Sequence, residues 1–269
     1  MPCPSDASRA NHLLGALARD DLLALEPNLE LVRVKNAQLI RGAGAPATHV
    51  YFPITAVMSL LYVMEDGAIV ELASIGKEGA IGLQTLDCDG VATSRVEVRS
   101  GGLAYRIPVS AMRRESERSF GMYRVTVLYM QALMTQIARS ALCTRHHSIR
   151  QQLGRWLLVA RDQQQSDELA VTQQIIADML GVRREGVTDA AGKLRDAGLI
   201  RQRRGRITVL DRQGLEECAC ECYHTIRHEF ERLLPQAGDP VSSDDVPHAA
   251  PAGGKPLRIE RRPVFLRSA

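Results

Sequence analysis

The sequence predicts an α+β chain in three parts: an N-terminal antiparallel β-roll of jelly-roll type, one long helix, and a C-terminal domain of short helices ending in a β-hairpin. Three observations predict it. Between Leu29 and Ile107, short β-prone runs alternate with glycine-bearing turns. From Phe120 to Ala141, apolar residues recur in steps of three and four without a break. From Thr172 to Leu210, a helix start, a glycine turn, a second helix, a glycine stop and a hairpin follow in order.

The 269 residues allow one large or two smaller domains, and 45% hydrophobic with 24% charged residues is an ordinary balance for a globular chain. We divide it into a frayed end (1–10), the roll as a sensor domain (11–118), the long helix (119–143), the C-terminal domain (144–234) and a disordered tail (235–269), the last rich in Pro, Ala, Gly, Ser and Asp before a basic end. No apolar run is long enough to span a membrane, and no membrane partner is expected. The first residues show no secretory pattern, and six irregularly spaced cysteines (3, 88, 143, 218, 220, 222) do not form a secreted disulfide framework. A reducing cytoplasm is the expected compartment.

In chain order, His12 to Leu25 reads as short helical turns ending before Pro27. Seven strand-like runs follow: Leu31–Val34, Gln38–Ile40, His49–Phe52, Val57–Met64, Ile69–Ser74, Arg95–Val98 and Leu103–Ile107. Asp66-Gly67 is a hairpin signal between two of them, and Asp89-Gly90 marks another turn. The long helix carries a seam of Phe120, Tyr123, Val127, Met130, Met134, Ile137 and Ala141. A second stripe (Val125, Leu128, Ala132, Thr135, Leu142) lies on another face. One stripe is expected to pack on the roll and the seam on a second copy, giving a parallel homodimer. Residues 145 to 161 form the next helix, with Ile149, Leu153, Trp156, Leu157 and Ala160 inward. His146 and His147, adjacent and so about 100° apart on a helix, make a poor chelating pair and are read as surface or hinge residues. Residues 163–167 are a polar link.

Thr172 suits an N-cap, Ile175, Ile176, Met179 and Leu180 give an apolar face, and Gly181 makes the turn. A second helix runs from about Arg183 to Ala197 with Val187, Ala190, Ala191 and Leu194 inward, and Gly198 ends it. Two short β runs flank Arg203-Arg204-Gly205. This order is that of a winged helix-turn-helix. Residues 183 to 206 hold eight cations (Arg183, Arg184, Lys193, Arg195, Arg201, Arg203, Arg204, Arg206) against Glu185, Asp189 and Asp196, a surplus greater than the +3 of the whole chain. Double-stranded DNA is therefore the expected partner. Arg183 or Arg184 suits guanine, Glu185 a cytosine amino group, and Thr188 and Asp189 share that face. Thr172, Gln173, Lys193, Arg204 and Arg206 are placed against phosphates.

After the hairpin, Leu215 to Leu234 reads as one final helix, with Cys218, Cys222 and Ile226 on one line and Cys220, His224 and His228 on another. The second line spans too much helix for one ion, so these are read as buried cysteines and surface histidines, with no metal site.

The stretches Val171 to Ile175 and Gly181 to Val187 resemble the helix-turn-helix of the CRP/FNR transcription regulators, with Arg184-Glu185 matching that family's Arg-Glu pair. Including the roll, the resemblance covers roughly residues 13 to 225. It implies a sensor roll, a dimerisation helix that transmits effector state, and RNA polymerase as a partner. A base-contacting Arg of the family falls on Asp189, so the family's best-known operator does not carry over. In the nucleotide cassette the family's Glu is replaced by Ala80 within Gly79-Ala80-Ile81-Gly82, and no Arg stands in register near Thr93-Ser94. A buried phosphate needs such partners, so cyclic nucleotide is not expected; no cofactor is predicted, and the sequence names no other small effector. Gly79, Ala80, Ile81, Gly82, Thr93, Ser94, Arg95 and Thr135 remain the residues that would line an effector pocket. The iron–sulfur branch of the family needs a cysteine set near the N-terminus, and only Cys3 is there.

These readings predict a homodimeric regulator of transcription that reads a palindrome and is controlled through its roll. No Ser-His-Asp order, phosphate-binding loop or HExxH is present, and no enzymatic activity is expected. The alternatives are a metal, haem or redox sensor on the same scaffold, or a ligand-binding module acting on a partner protein.

Overall fold

The computed structural model describes residues 8–86 and 93–234. The Asp89-Gly90 turn, Cys3, Cys88 and the segment 235–269 lie outside the described residues. Of the end read as frayed, Ser8 is in fact buried, and its carbonyl accepts from the Asn11 N–H. Two short helices, α1 (His12–Gly15) and α2 (Arg19–Leu25), come first. Asn11 caps α1 by accepting from the N–H groups of Leu13 and Leu14, while its amide donates to the carbonyls of Pro53 (2.8 Å) and Gly79 (2.9 Å). One buried side chain thus satisfies a helix start and ties it to two segments of the roll.

Among the described residues the roll has seven strands: β1 (Glu30–Val34), β2 (Leu39–Arg41), β3 (His49–Pro53), β4 (Val57–Val63), β5 (Ile69–Ile75), β6 (Arg95–Ser100) and β7 (Gly102–Pro108). Each coincides with one expected run. They form two antiparallel sheets, ordered β1-β7-β3 and β2-β6-β4-β5. Leu60 faces Ala73 on one side and Val96 on the other, and a bulge follows at Leu61. Gly67 takes φ +85 in the β4–β5 turn, where an L-residue would be strained. Val50, Phe52, Met58, Val96 and Ile107 fill the space between the sheets, closed at one end by Leu14, Leu22 and Leu25. Burying each such side chain is worth about 1.5–3 kcal/mol.

A helix not expected from the sequence, α3 (Val109–Arg118), leads from the roll and buries Val109, Ala111 and Met112. The long helix α4 runs Phe120–His146, three residues past the expected end, and Ser119 caps it by accepting from the Met122 N–H. Its inward face is Met122, Val125, Tyr129, Ala132, Leu133 and Gln136, of which only Val125 and Ala132 belong to the stripe expected to face the roll. Leu142 of that stripe is exposed.

The next helix, α5 (Ile149–Gln164), starts later than expected, because Arg145 and His146 finish α4 and Ser148 with Gln151 forms a capping box. A short strand, β8 (Glu168–Leu169), occupies part of the region read as a polar link. It pairs with the hairpin strand β10 (Arg206–Val209), whose other neighbour is β9 (Ile200–Arg203). Between them lie α6 (Gln173–Leu180) and α7 (Arg184–Asp196). The expected single last helix is two, α8 (Arg212–Cys218) and α9 (Cys222–Leu233), broken at 219–221. The extended backbone of Ala219, at φ −71 and ψ 166, ends α8. Helix α9 then runs back along α4, with Phe230 edge-on to Tyr129.

The C-terminal domain docks on the roll through a polar patch. Gln163 of α5 donates to the Ser74 carbonyl (3.0 Å) and to Glu78 (2.7 Å), and it accepts from the Ser74 hydroxyl and from Arg99. The Arg99 guanidinium lies 5.1 Å from the centroid of the Trp156 ring. Trp156 donates to Glu71, which also pairs with Arg99. Among the described residues no helix is long and apolar enough to cross a membrane.

Candidate nucleic-acid interface

The helix-turn-helix is set by its caps. The Thr172 hydroxyl accepts from the Ile175 N–H at 3.2 Å and starts α6. Gly181 takes φ +65, so the chain turns sharply after Leu180. Ile176, Ala177 and Leu180 face the core. Ile175 does not: it is 40% exposed, because the helix starts at Gln173 and turns that position outward. Arg183, in an extended conformation, is the residue before α7. Val187, Ala190, Ala191 and Leu194 are all buried, which leaves Arg184, Glu185, Thr188 and Asp189 on the solvent face of the first turns. A Cβ on Gly186 would stand 2.7 Å from Ile149 Cδ1, so that glycine lets α7 sit close to α5. Gly198 (φ +74) ends α7, and Arg204-Gly205 forms the two-residue tip of the wing, with Arg203 paired to Arg206.

These elements enclose a groove of about 580 Å³ lined by Thr172, Gln173, Gln174, Arg184, Arg203 and Arg204, among others. The cap of the first helix, the start of the second and the wing tip therefore converge. The Thr188 hydroxyl lies 2.8 Å from the Gln173 side-chain oxygen and 3.0 Å from the Arg184 carbonyl, and its one O–H is shared between them, which holds α7 against α6. Other expected contact residues are tied up: Lys193 pairs with Asp189 at 2.8 Å, and Arg206 pairs with Glu168 of β8. The unforeseen strand β8 is what brings Glu168 beside the wing. Among the described residues Arg183, Arg184, Arg201, Arg203 and Arg204 have no carboxylate partner and are exposed. The N-terminal end of α7 adds the partial positive charge of its unpaired N–H groups.

On α4, the seam residues Phe120, Tyr123, Val127 and Met134 are 79, 52, 45 and 69% exposed, and Ala141 is exposed beside them. Met130 and Ile137 are half-buried against the roll core. The seam residues thus form a largely open apolar line on a helix roughly 40 Å long.

The residues placed in an effector pocket are spread over different environments. Gly79 lies under the Tyr129 ring, where a Cβ would come within 2.6 Å of it. Ala80 and Ile81 are buried, Ile81 bridges to Tyr51, and Gly82 (φ +104) packs on the His49 carbonyl. Ser94 is buried and accepts from Arg41, Arg95 pairs with Glu97, Thr93 is exposed, and Thr135 is half-buried. A separate cleft of about 310 Å³ opens where the roll meets the C-terminal domain, lined by Lys77, Glu78, Gln163, Arg212, Tyr223 and Arg227 among others.

The cysteines are arranged differently from the expectation. Cys220 sits in the break before α9 rather than on a helical line with His224 and His228, which are exposed. It lies instead beside Cys143, the two sulfurs 3.4 Å apart, with Cys222 in the same buried cluster. His147 sits at the hinge between α4 and α5 and is half-buried there: its Nδ1 is 3.8 Å from the Cys222 sulfur and its Nε2 is 3.2 Å from Glu221. Spacing along one helix hid this cluster, because its members come from three elements. The hydrogen bond with Cys220 and the charge of Arg155 draw the Cys143 thiol down, and that same bond together with burial pushes Cys220 up.

Residues 151–218 match the family model of the Crp-like helix-turn-helix domain. No curated protein matches the sequence. The fold is similar to that of a transcriptional regulator of the CRP/FNR family from Eubacterium rectale, with a TM-score of 0.62 at 19% identity, covering 77% of this chain and 96% of that one. It is also similar to FixK2 from Bradyrhizobium japonicum, with a TM-score of 0.62 at 16% identity over 71% of this chain and 98% of that one. A third similar structure is the c-di-GMP responsive global regulator CLP of Xanthomonas campestris, with a TM-score of 0.60 at 15% identity over 72% and 100%.

Proposed function

For a chain that carries a Crp-like helix-turn-helix domain on the fold of the CRP/FNR transcription regulators, we propose the role of a homodimeric, cytoplasmic, non-enzymatic regulator that reads a palindromic DNA site through the start of α7. The observation that supports this best is the arginine-lined groove shared by Thr172, Arg184, Arg203 and Arg204. A phosphate in that groove meets the cap of the first helix, while Arg184 and Glu185 face the major groove. The open seam on α4 supports pairing through that helix, and a two-fold pair places two recognition helices on half-sites about one helical turn apart. Control passes from the roll through Gln163 and Trp156, which join α5 to β5. Cyclic nucleotide has no part in this reading, since Ala80 stands where an acidic side chain would take a ribose and its carbonyl already accepts from Tyr129. RNA polymerase is the protein partner proposed by likeness to the family.

Selection from a random DNA pool with the purified full chain tests the reading. A two-fold symmetric motif is expected without added nucleotide. Failure to enrich any motif, alone or with candidate effectors, would sink it.

A further inference from the structure

We propose that Cys143, His147, Cys220 and Cys222 form a closed four-ligand zinc site at the joint between the long helix and the DNA-binding domain. The four ligand atoms lie within 4.8 Å of one another. In a tetrahedral site with zinc–sulfur bonds of about 2.3 Å, neighbouring ligand atoms stand roughly 3.7 Å apart. The Cys143–Cys220 sulfur separation of 3.4 Å and the Cys222–His147 distance of 3.8 Å bracket that value. A disulfide would need its sulfurs at about 2.05 Å, and it would use two of three thiols and leave the imidazole without a purpose.

The surroundings fit a metal as well as the ligands do. His147 points Nδ1 at the sulfurs while Nε2 meets Glu221, so one carboxylate fixes the ring and the tautomer that coordinates. Three thiolates on a divalent ion leave one negative charge, and Arg155 stands beside Cys143 to balance it. Cys143, Cys220 and Cys222 are at most 1% exposed and the His147 side chain 15%, so the sulfurs are shut from solvent and all four positions belong to protein. Soft thiolates with one imidazole and no open position select a structural zinc over magnesium, calcium or a catalytic centre.

The placement gives the ion a role. Cys143 lies in the last turn of α4, His147 is the residue that ends it, and Cys220 and Cys222 flank the break before α9. A bound ion fastens the end of the long helix to the start of the helix that runs back along it. The angle between α4 and the DNA-binding domain is set at this joint.

The test is metal analysis of the full chain purified under reducing conditions without added metal. One zinc per chain is expected. Cobalt(II) added to chelator-treated protein should give intense thiolate-to-metal absorption and tetrahedral d–d bands. Cys222→Ser and His147→Ala should lose stoichiometric metal, Cys218→Ser should keep it, and Glu221→Gln should weaken affinity about 10–100-fold. Absence of both zinc and the cobalt spectrum in the unaltered protein overturns the site. So does retention of full metal by a Cys143→Ser/Cys220→Ser double variant, or a Cys143–Cys220 disulfide in protein kept from air. The wild-type cobalt titration keeps the test decisive even where a variant fails to fold.

Discussion

The Tyr129 hydroxyl donates a 2.6 Å hydrogen bond to the Ala80 carbonyl, so the long helix grips the Gly79–Gly82 turn from inside the core. Both residues are at most 1% exposed, and the ring lies on Gly79. Tyr129→Phe leaves that carbonyl buried without its donor, and we expect a loss of about 1–3 kcal/mol in urea unfolding. Gly79→Ala should cost more, because its Cβ would run into the ring. An unchanged urea midpoint for Tyr129→Phe would mean that water or a shifted backbone replaces the bond.

Arg184 and Arg204 line one groove but should fail differently. Arg184, at the start of α7, is placed for a base edge, and Arg184→Ala should cost about 1–3 kcal/mol on the selected site and relax one base position. Arg204, at the wing tip, is placed for phosphate. Arg204→Ala should weaken binding equally on all sequences and lower the slope of log K against log salt by about 1. Titrations at several salt concentrations on specific and random duplexes separate the two. Equal losses for Arg184→Ala on both duplexes would reassign it to the backbone.

What was legible in the sequence follows from which signals are local. The seven strands were readable because each alternates short apolar runs with turn residues, and the two-helix motif because Thr172, Gly181 and Gly198 punctuate it within a few residues. The features missed are made by pairs far apart in the chain. Glu168 neutralises Arg206 only because β8 joins the hairpin, which two residues of strand do not announce. The true inward face of α4 includes Met122, Leu133 and Gln136, and Gln136 is buried by a bond to the Ser74 carbonyl that no apolar periodicity reveals. The i, i+4 spacing puts Cys220 on a helix that the chain in fact breaks at 219–221, and no spacing along one helix brings it to Cys143 and His147.

The exposed seam makes a sharp prediction about assembly. Met134 is 69% exposed in the single chain and sits in the second half of the line from Phe120 to Ala141. Met134→Glu adds little strain to the lone chain, but in a parallel pair it sets two carboxylates together in an apolar interface. Sedimentation should show a dimer for the unaltered protein and a monomer for the variant at the same concentration, with far-UV circular dichroism unchanged. A variant that stays dimeric would move the interface off this face of α4.

Gln163 bridges the two halves from a buried position. Its amide donates to the Ser74 carbonyl and to Glu78, and its oxygen accepts from Ser74 and Arg99. Gln163→Leu keeps the volume and removes all four, leaving the Arg99 guanidinium with only Glu71 and the Trp156 face. Partly unsatisfied buried networks are costly, so β5 and α5 should open together and exchange amide hydrogens faster. The same change should alter affinity for the selected DNA by about 5-fold or more if the roll biases the recognition helices through this patch, since coupling energies of that kind are typically 1–3 kcal/mol. Arg184 and the wing are untouched by the substitution, so an affinity shift would report coupling rather than lost DNA contacts. Faster exchange with unchanged DNA affinity would show that the patch holds the halves together without carrying a signal between them.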